Sequence, residues 1–130
     1  MNWFRLIFIP ITLLSCNDTT QKFDKQALDL KRQNIIAFIN TAVCSAPESC
    51  RWIAVGSKPC GGPSEYFVYP ATLDSAKLSQ MVIAYSQEIN SYNLKWNVVS
   101  DCSVVMPPDS VRCMASNCYG YWGGTPKRQS

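Results

Sequence analysis

The sequence predicts an α+β domain in which two amphipathic helices pack on a small antiparallel sheet stabilised by disulfides. Three observations carry that expectation. Apolar residues recur at spacings of three and four in two separate stretches, a pair of β-rich runs flanks a glycine–proline turn, and 130 residues hold seven cysteines.

The segment around which the rest is organised is Cys50 to Pro70. Trp52 to Val55 and Tyr66 to Tyr69 are β-rich, and between them Lys58-Pro59-Cys60-Gly61-Gly62-Pro63 reads as a hairpin turn with a cysteine at its apex. Trp52 and Tyr66 are expected to contribute to the core.

Before this hairpin, Asp24 is a plausible N-cap, and Leu28, Ile35, Ile39 and Ala42 follow on one side with Ile36 and Val43 beside them. The spacing predicts a helix of about five turns, packed on a core because its polar face is mixed in sign rather than basic. Pro47, in the loop between Cys44 and Cys50, stops it. After the hairpin, Thr72 to Asp74 offers caps. Leu78, Met81, Val82, Tyr85, Ile89 and Tyr92 then define the clearest helix of the chain, with Asn93 as its left-handed stop. Lys95 to Val99 resumes a β-type run. Cys102 to Met106, Val111 to Ala115 and Cys118 to Trp122 complete a meander whose connections are Pro107-Pro108-Asp109 and Ser116-Asn117.

The chain begins with an apolar run, Leu6 to Leu14, preceded by Arg5 and too short to span a bilayer as a mature helix. Residues 1–15 therefore read as a secretory signal. The run ends in Leu13-Leu14-Ser15-Cys16, which resembles the bacterial lipobox; the resemblance implies cleavage before Cys16 and lipidation of its thiol with palmitate-type chains. Several acyl chains, each adding about 0.8 kcal/mol per buried CH₂, hold a protein to a membrane where one chain does not. Residues 16–22 then read as a polar tether, 23–122 as a single disulfide-rich domain, and 123–130, rich in glycine and basic residues, as a flexible tail.

Removing Cys16 leaves Cys44, Cys50, Cys60, Cys102, Cys113 and Cys118, an even number separated by 5, 9, 41, 10 and 4 residues. There is no C-x-x-C pair and no histidine, so neither a zinc site nor a thiol oxidoreductase fits, and no metal or other cofactor is expected. Three disulfides in an oxidising compartment are expected instead. Fifteen pairings are open; Cys113 and Cys118 are expected to bond to partners elsewhere.

Lys58 to Pro63 (KPCGGP), Ser100 to Cys102 (SDC), Pro107-Pro108 and the closing pair Cys113 and Cys118 together resemble a group of small cysteine-rich bacterial lipoproteins of uncharacterised function. The resemblance covers Cys44 to Cys118. It implies an extracytoplasmic disulfide domain and brings no catalytic residue. Where the group's closing pair brackets an Asp-Gly-type turn, this chain has Met114 to Asn117.

The lack of histidine excludes Ser/His/Asp and Cys/His nucleophilic arrangements. Glu48, Glu65, Asp74, Glu88, Asp101 and Asp109 are scattered, and most stand beside turns or helix caps. The formal charge of +3 includes Arg5 of the leader and forms no basic stripe, which argues against nucleic acid. The expectation is a lipid-anchored, non-enzymatic binding module of the cell envelope with a protein or glycan partner. Its contact surface is expected to include Lys58, Gly61, Gly62, Tyr119, Tyr121 and Trp122, since aromatic side chains serve well as interface anchors. Two other readings stand beside it: a proteinase inhibitor presenting the loop Ser57 to Cys60, and a purely structural envelope lipoprotein.

Overall fold

The computed structural model describes residues 17–129; the leader and Cys16 lie outside them. In order the elements are α1 (Asn17–Ile39), β1 (Cys50–Val55), β2 (Glu65–Pro70), α2 (Ser75–Lys95), β3 (Ser110–Met114), β4 (Asn117–Trp122) and β5 (Thr125–Lys127). The fold class is the expected one, α+β and disulfide-stabilised. The strands, however, form two antiparallel sheets, β1–β2 and β3–β4–β5, instead of one.

Alternation along β1 and β2 decides the layering. Ile53, Val55, Phe67 and Tyr69 face the helices and join Ile35, Ile36, Ile39, Leu73, Leu78, Val82 and Tyr85 in the main core. The other face carries Cys50 and Val68, which pack with Cys44, Cys118, Val111 and Cys113 under the second sheet. The two-stranded sheet is thus covered by helices on one side and by β3–β4 on the other, so Val55, Phe67 and Val68 are all removed from water. On this second face Trp52 is 44% exposed and meets Tyr66 edge-on at 5.3 Å. It is a surface residue, not the core residue expected.

α1 begins at Asn17, so the segment 17–22, expected as a polar tether, is helical. The reason lies in which residues occupy its inner stripe. Gln21, Asp24, Leu28, Arg32, Ile35 and Ile39 follow at spacings of three and four and are all at least partly covered, but half of them are polar. The inner polar residues are satisfied across the interface: Asp24 accepts from Lys95 Nζ at 2.6 Å and from Trp96 Nε1 at 3.0 Å. Arg32 pairs in a two-pronged fashion with Glu65 at 2.8 and 2.7 Å. Lys31 and Glu88 add an exposed contact between the helices.

Asp74 caps α2, accepting from the backbone N–H of Lys77 at 3.0 Å, as its position in the sequence suggests. The stop is not Asn93. That side chain donates to the Ser57 carbonyl at 2.8 Å from within the helix, which continues to Lys95; the left-handed residue is Asn97, at φ 47°. Lys95 to Val99 and Cys102 to Met106 form no strand. The β3–β4 turn is Ala115-Ser116, both at positive φ, as a two-residue turn between right-twisted strands demands. Gly123-Gly124 repeats that geometry, and beyond it the tail pairs with β4 as a short strand rather than fraying.

Three bridges join Cys44 to Cys113, Cys50 to Cys118 and Cys60 to Cys102, with Cα–Cα separations of 5.8, 5.7 and 5.5 Å. The first two tie the second sheet to the loop before β1 and to the first residue of β1. The third ties the hairpin tip to the segment after α2. No helix among the described residues is long and apolar enough to cross a membrane.

Candidate functional site

A concavity of about 440 Å³ lies along the outer edge of β2. Its floor is Tyr66 and Val68, one wall is Trp122 with Val105 and Met106, and its rim holds Lys127, Arg128 and Gln129. Arg32 and Glu65 close one side as their mutual pair, which leaves little net charge there. Arg128 donates to the neutral Asn40 side chain at 2.6 Å, and Lys127 makes no ion pair among the described residues, so the rim is cationic.

Trp122 is placed by two neighbours. Its indole N–H donates to the Met106 carbonyl at 3.0 Å. Its ring folds back over Gly120, where a Cβ would come within 2.7 Å of the ring and 3.1 Å of Val68. Only a residue without a side chain lets the indole lie there.

Gln129 reaches from the rim to the backbone of Val68. Its side-chain amide accepts from the Val68 N–H at 3.2 Å and donates to the Val68 carbonyl at 2.7 Å, the pairing that a peptide group of a neighbouring strand makes.

The residues singled out from sequence do not share one surface. Trp122 lines the groove. Tyr119 and Tyr121 alternate with Cys118, Gly120 and Trp122 along β4 and point to the opposite face, where Arg112 lies over Tyr121 and the Tyr121 hydroxyl donates to Met114 Sδ at 3.2 Å. Gly61 and Gly62, at φ 92° and 81°, form the solvated hairpin tip and take no part in the groove.

Lys58 is turned inward, with its side chain only 15% exposed. Its ammonium donates to the Asp101 carboxylate at 3.2 Å and to the Ser103 carbonyl and hydroxyl at 2.5 and 3.0 Å. These contacts hold the Lys58 ammonium against the segment after α2. Two Ser103 hydrogen bonds, backbone and side chain, followed by the Lys58 contact, bring the Asp101 carboxyl down to about 2.

Other carboxylates named above hold local structure: Glu65 binds Arg32, Glu88 binds Lys31, Asp74 caps α2, and Asp109 accepts from the Gly123 N–H at 2.8 Å. The sulfurs of Cys44, Cys50 and Cys113 lie within 4.8 Å of one another, but they are spent in two disulfides and supply no thiolate to a metal.

Sequence reasoning weighted Tyr66 toward the core, whereas it lines the groove, and it missed Lys127, Arg128 and Gln129 as groove residues. The only signal was the basic, amide-bearing tail, which composition alone assigns to a frayed end. No protein-family model, curated protein or solved structure matches the chain.

Proposed function

We propose that the chain is an extracytoplasmic lipoprotein, held to a membrane through Cys16, whose body is a non-enzymatic binding module. The observation that carries this reading is the groove on β2, in which a buttressed indole, an open strand edge and a cationic rim converge. Fixed aromatic surface beside hydrogen-bonding groups is what a binding site needs, since little ordering remains to be done on association. The three bridges use all six cysteines from Cys44 to Cys118, which supports an oxidising compartment and leaves the seventh, Cys16, available for the lipid.

Mass spectrometry of the mature protein tests the first half. The expected species begins at Cys16, carries acyl mass and has six oxidised thiols, and Cys16→Ser releases it from membranes. A protein that retains Met1 and free thiols overturns the reading. The binding half is tested by cross-linking in intact envelopes: Trp122→Ala is expected to remove a stoichiometric adduct that the parent forms, and a parent with no adduct leaves only the structural lipoprotein.

A further inference from the structure

The open edge of β2 specifies a class of partner, and this inference rests on the binding-module reading. Val68 turns both its N–H and its carbonyl away from β1 toward Gln129. Alternation along an antiparallel strand turns those of Tyr66 the same way, into the groove that Tyr66 lines, where no described residue takes them. Pro70, which has no N–H, ends the usable edge at the other side. At the near end the Ser64 N–H is taken by the Val55 carbonyl at 2.9 Å, so the edge that a further strand pairs with is the backbone of Tyr66 together with that of Val68, the latter now filled by the Gln129 primary amide.

We propose that this edge binds an extended, acidic peptide segment by strand addition, with Gln129 as its intramolecular stand-in. The Gln129 contact shows the chemistry that the edge accepts, a peptide-like donor and acceptor together. The charge follows from the rim: Arg32 is paired with Glu65, whereas Lys127 and Arg128 make no ion pair among the described residues. A second copy of the chain would bring two such cationic rims together and is disfavoured for that reason. Trp122 and Met106 then cover the side chains of the added strand that point into the groove.

The test uses the disulfide-intact full chain and three capped peptides of about seven residues, a length ordinary for a strand. One alternates valine with glutamate, one alternates valine with lysine, and one is the glutamate peptide N-methylated at every second residue. The glutamate peptide is expected to protect the Tyr66 amide from hydrogen exchange and to release the Gln129 side-chain amide. The lysine peptide is expected to bind at least about tenfold more weakly, and N-methylation to abolish binding. Gln129→Ala tightens binding because a competing occupant is gone, and Lys127→Glu weakens it by about tenfold.

Equal binding of the two charges, indifference to N-methylation, or no saturation by about 1 mM overturns the proposal. So does a concentration-dependent dimer that protects Tyr66 without peptide. If the peptide fails while Trp122→Ala still removes the envelope adduct, the binding module stands and the partner class falls. If the peptide binds while the parent forms no adduct, the edge chemistry stands and the envelope reading falls.

Discussion

Cys113 and Cys118 stand opposite each other in the β3–β4 register, yet each is bonded to a cysteine from the first half of the chain, Cys44 and Cys50 respectively. The hairpin is therefore stapled twice, side by side, to the entrance of β1. The loop between those two partners reinforces the join, with the Cys113 N–H donating to the Pro47 carbonyl at 3.2 Å and the Cys44 N–H to the Ser116 carbonyl at 3.3 Å. Cys44, Cys50 and Cys118 are buried, whereas Cys60 and Cys102 are exposed.

Access therefore orders the bridges by reactivity. Brief treatment of the native protein with a dithiol, followed by alkylation and peptide mapping, is expected to label Cys60 and Cys102 well before the other four. Early labelling of Cys44 or Cys118 would contradict the burial described. Replacing Cys44 and Cys113 together by alanine is expected to cost about 2–4 kcal/mol in urea unfolding.

Gly120→Ala is expected to destabilise by about 1–3 kcal/mol, because the new methyl meets the Trp122 ring, itself held by the Met106 carbonyl and the nearby Val68. The indole N–H resonance of Trp122 should move as the ring is displaced. An unchanged resonance with unchanged stability would mean that the ring does not lie over Gly120.

The turn at Ala115 offers the opposite sign. Alanine at φ 47° in a two-residue turn carries the steric cost of the left-handed region, which glycine avoids. Ala115→Gly is expected to stabilise by about 0.5–1 kcal/mol, the gain being reduced by the greater freedom of glycine in the unfolded chain. Thermal or urea unfolding of the two proteins decides it, and a loss of stability contradicts the turn type.

Acid should loosen the segment after α2 before the core. Asp101 titrates at about 2 in the folded chain against an ordinary 3.8, so the folded state binds its proton more weakly. Its contribution is fully present above 3.8 and is lost as the pH falls from there through about 2. The Ser103 amide resonance is expected to titrate with a midpoint near 2 and to stop titrating in Asp101→Asn. A midpoint at the ordinary value would mean that the carboxylate is not held by Ser103 and Lys58. Asp24, lowered by its hydrogen bonds to Lys95 and Trp96, changes stability in the same direction.

Local pattern was sufficient for what local physics controls. Helical spacing located α2, the cap at Asp74 gave its start, alternation about a Gly-Gly-Pro turn located β1 and β2, and the even number of cysteines after Cys16 implied three bridges. Those are short-range signals, legible residue by residue. The start of α1 was not, because Asp24 and Arg32 sit on its inner stripe as charges whose partners, Lys95 and Glu65, are distant in sequence. The choice among pairings of the cysteines depended on which strands stack, and that in turn on packing of the whole chain. The groove is of the same kind: Trp122 parts from Tyr119 and Tyr121 through strand alternation, and Gln129 reaches Val68 only after β5 has paired with β4. A tail with no apolar pattern of its own acquires structure from the unsatisfied backbone edge it meets, and tertiary contact alone supplies that edge.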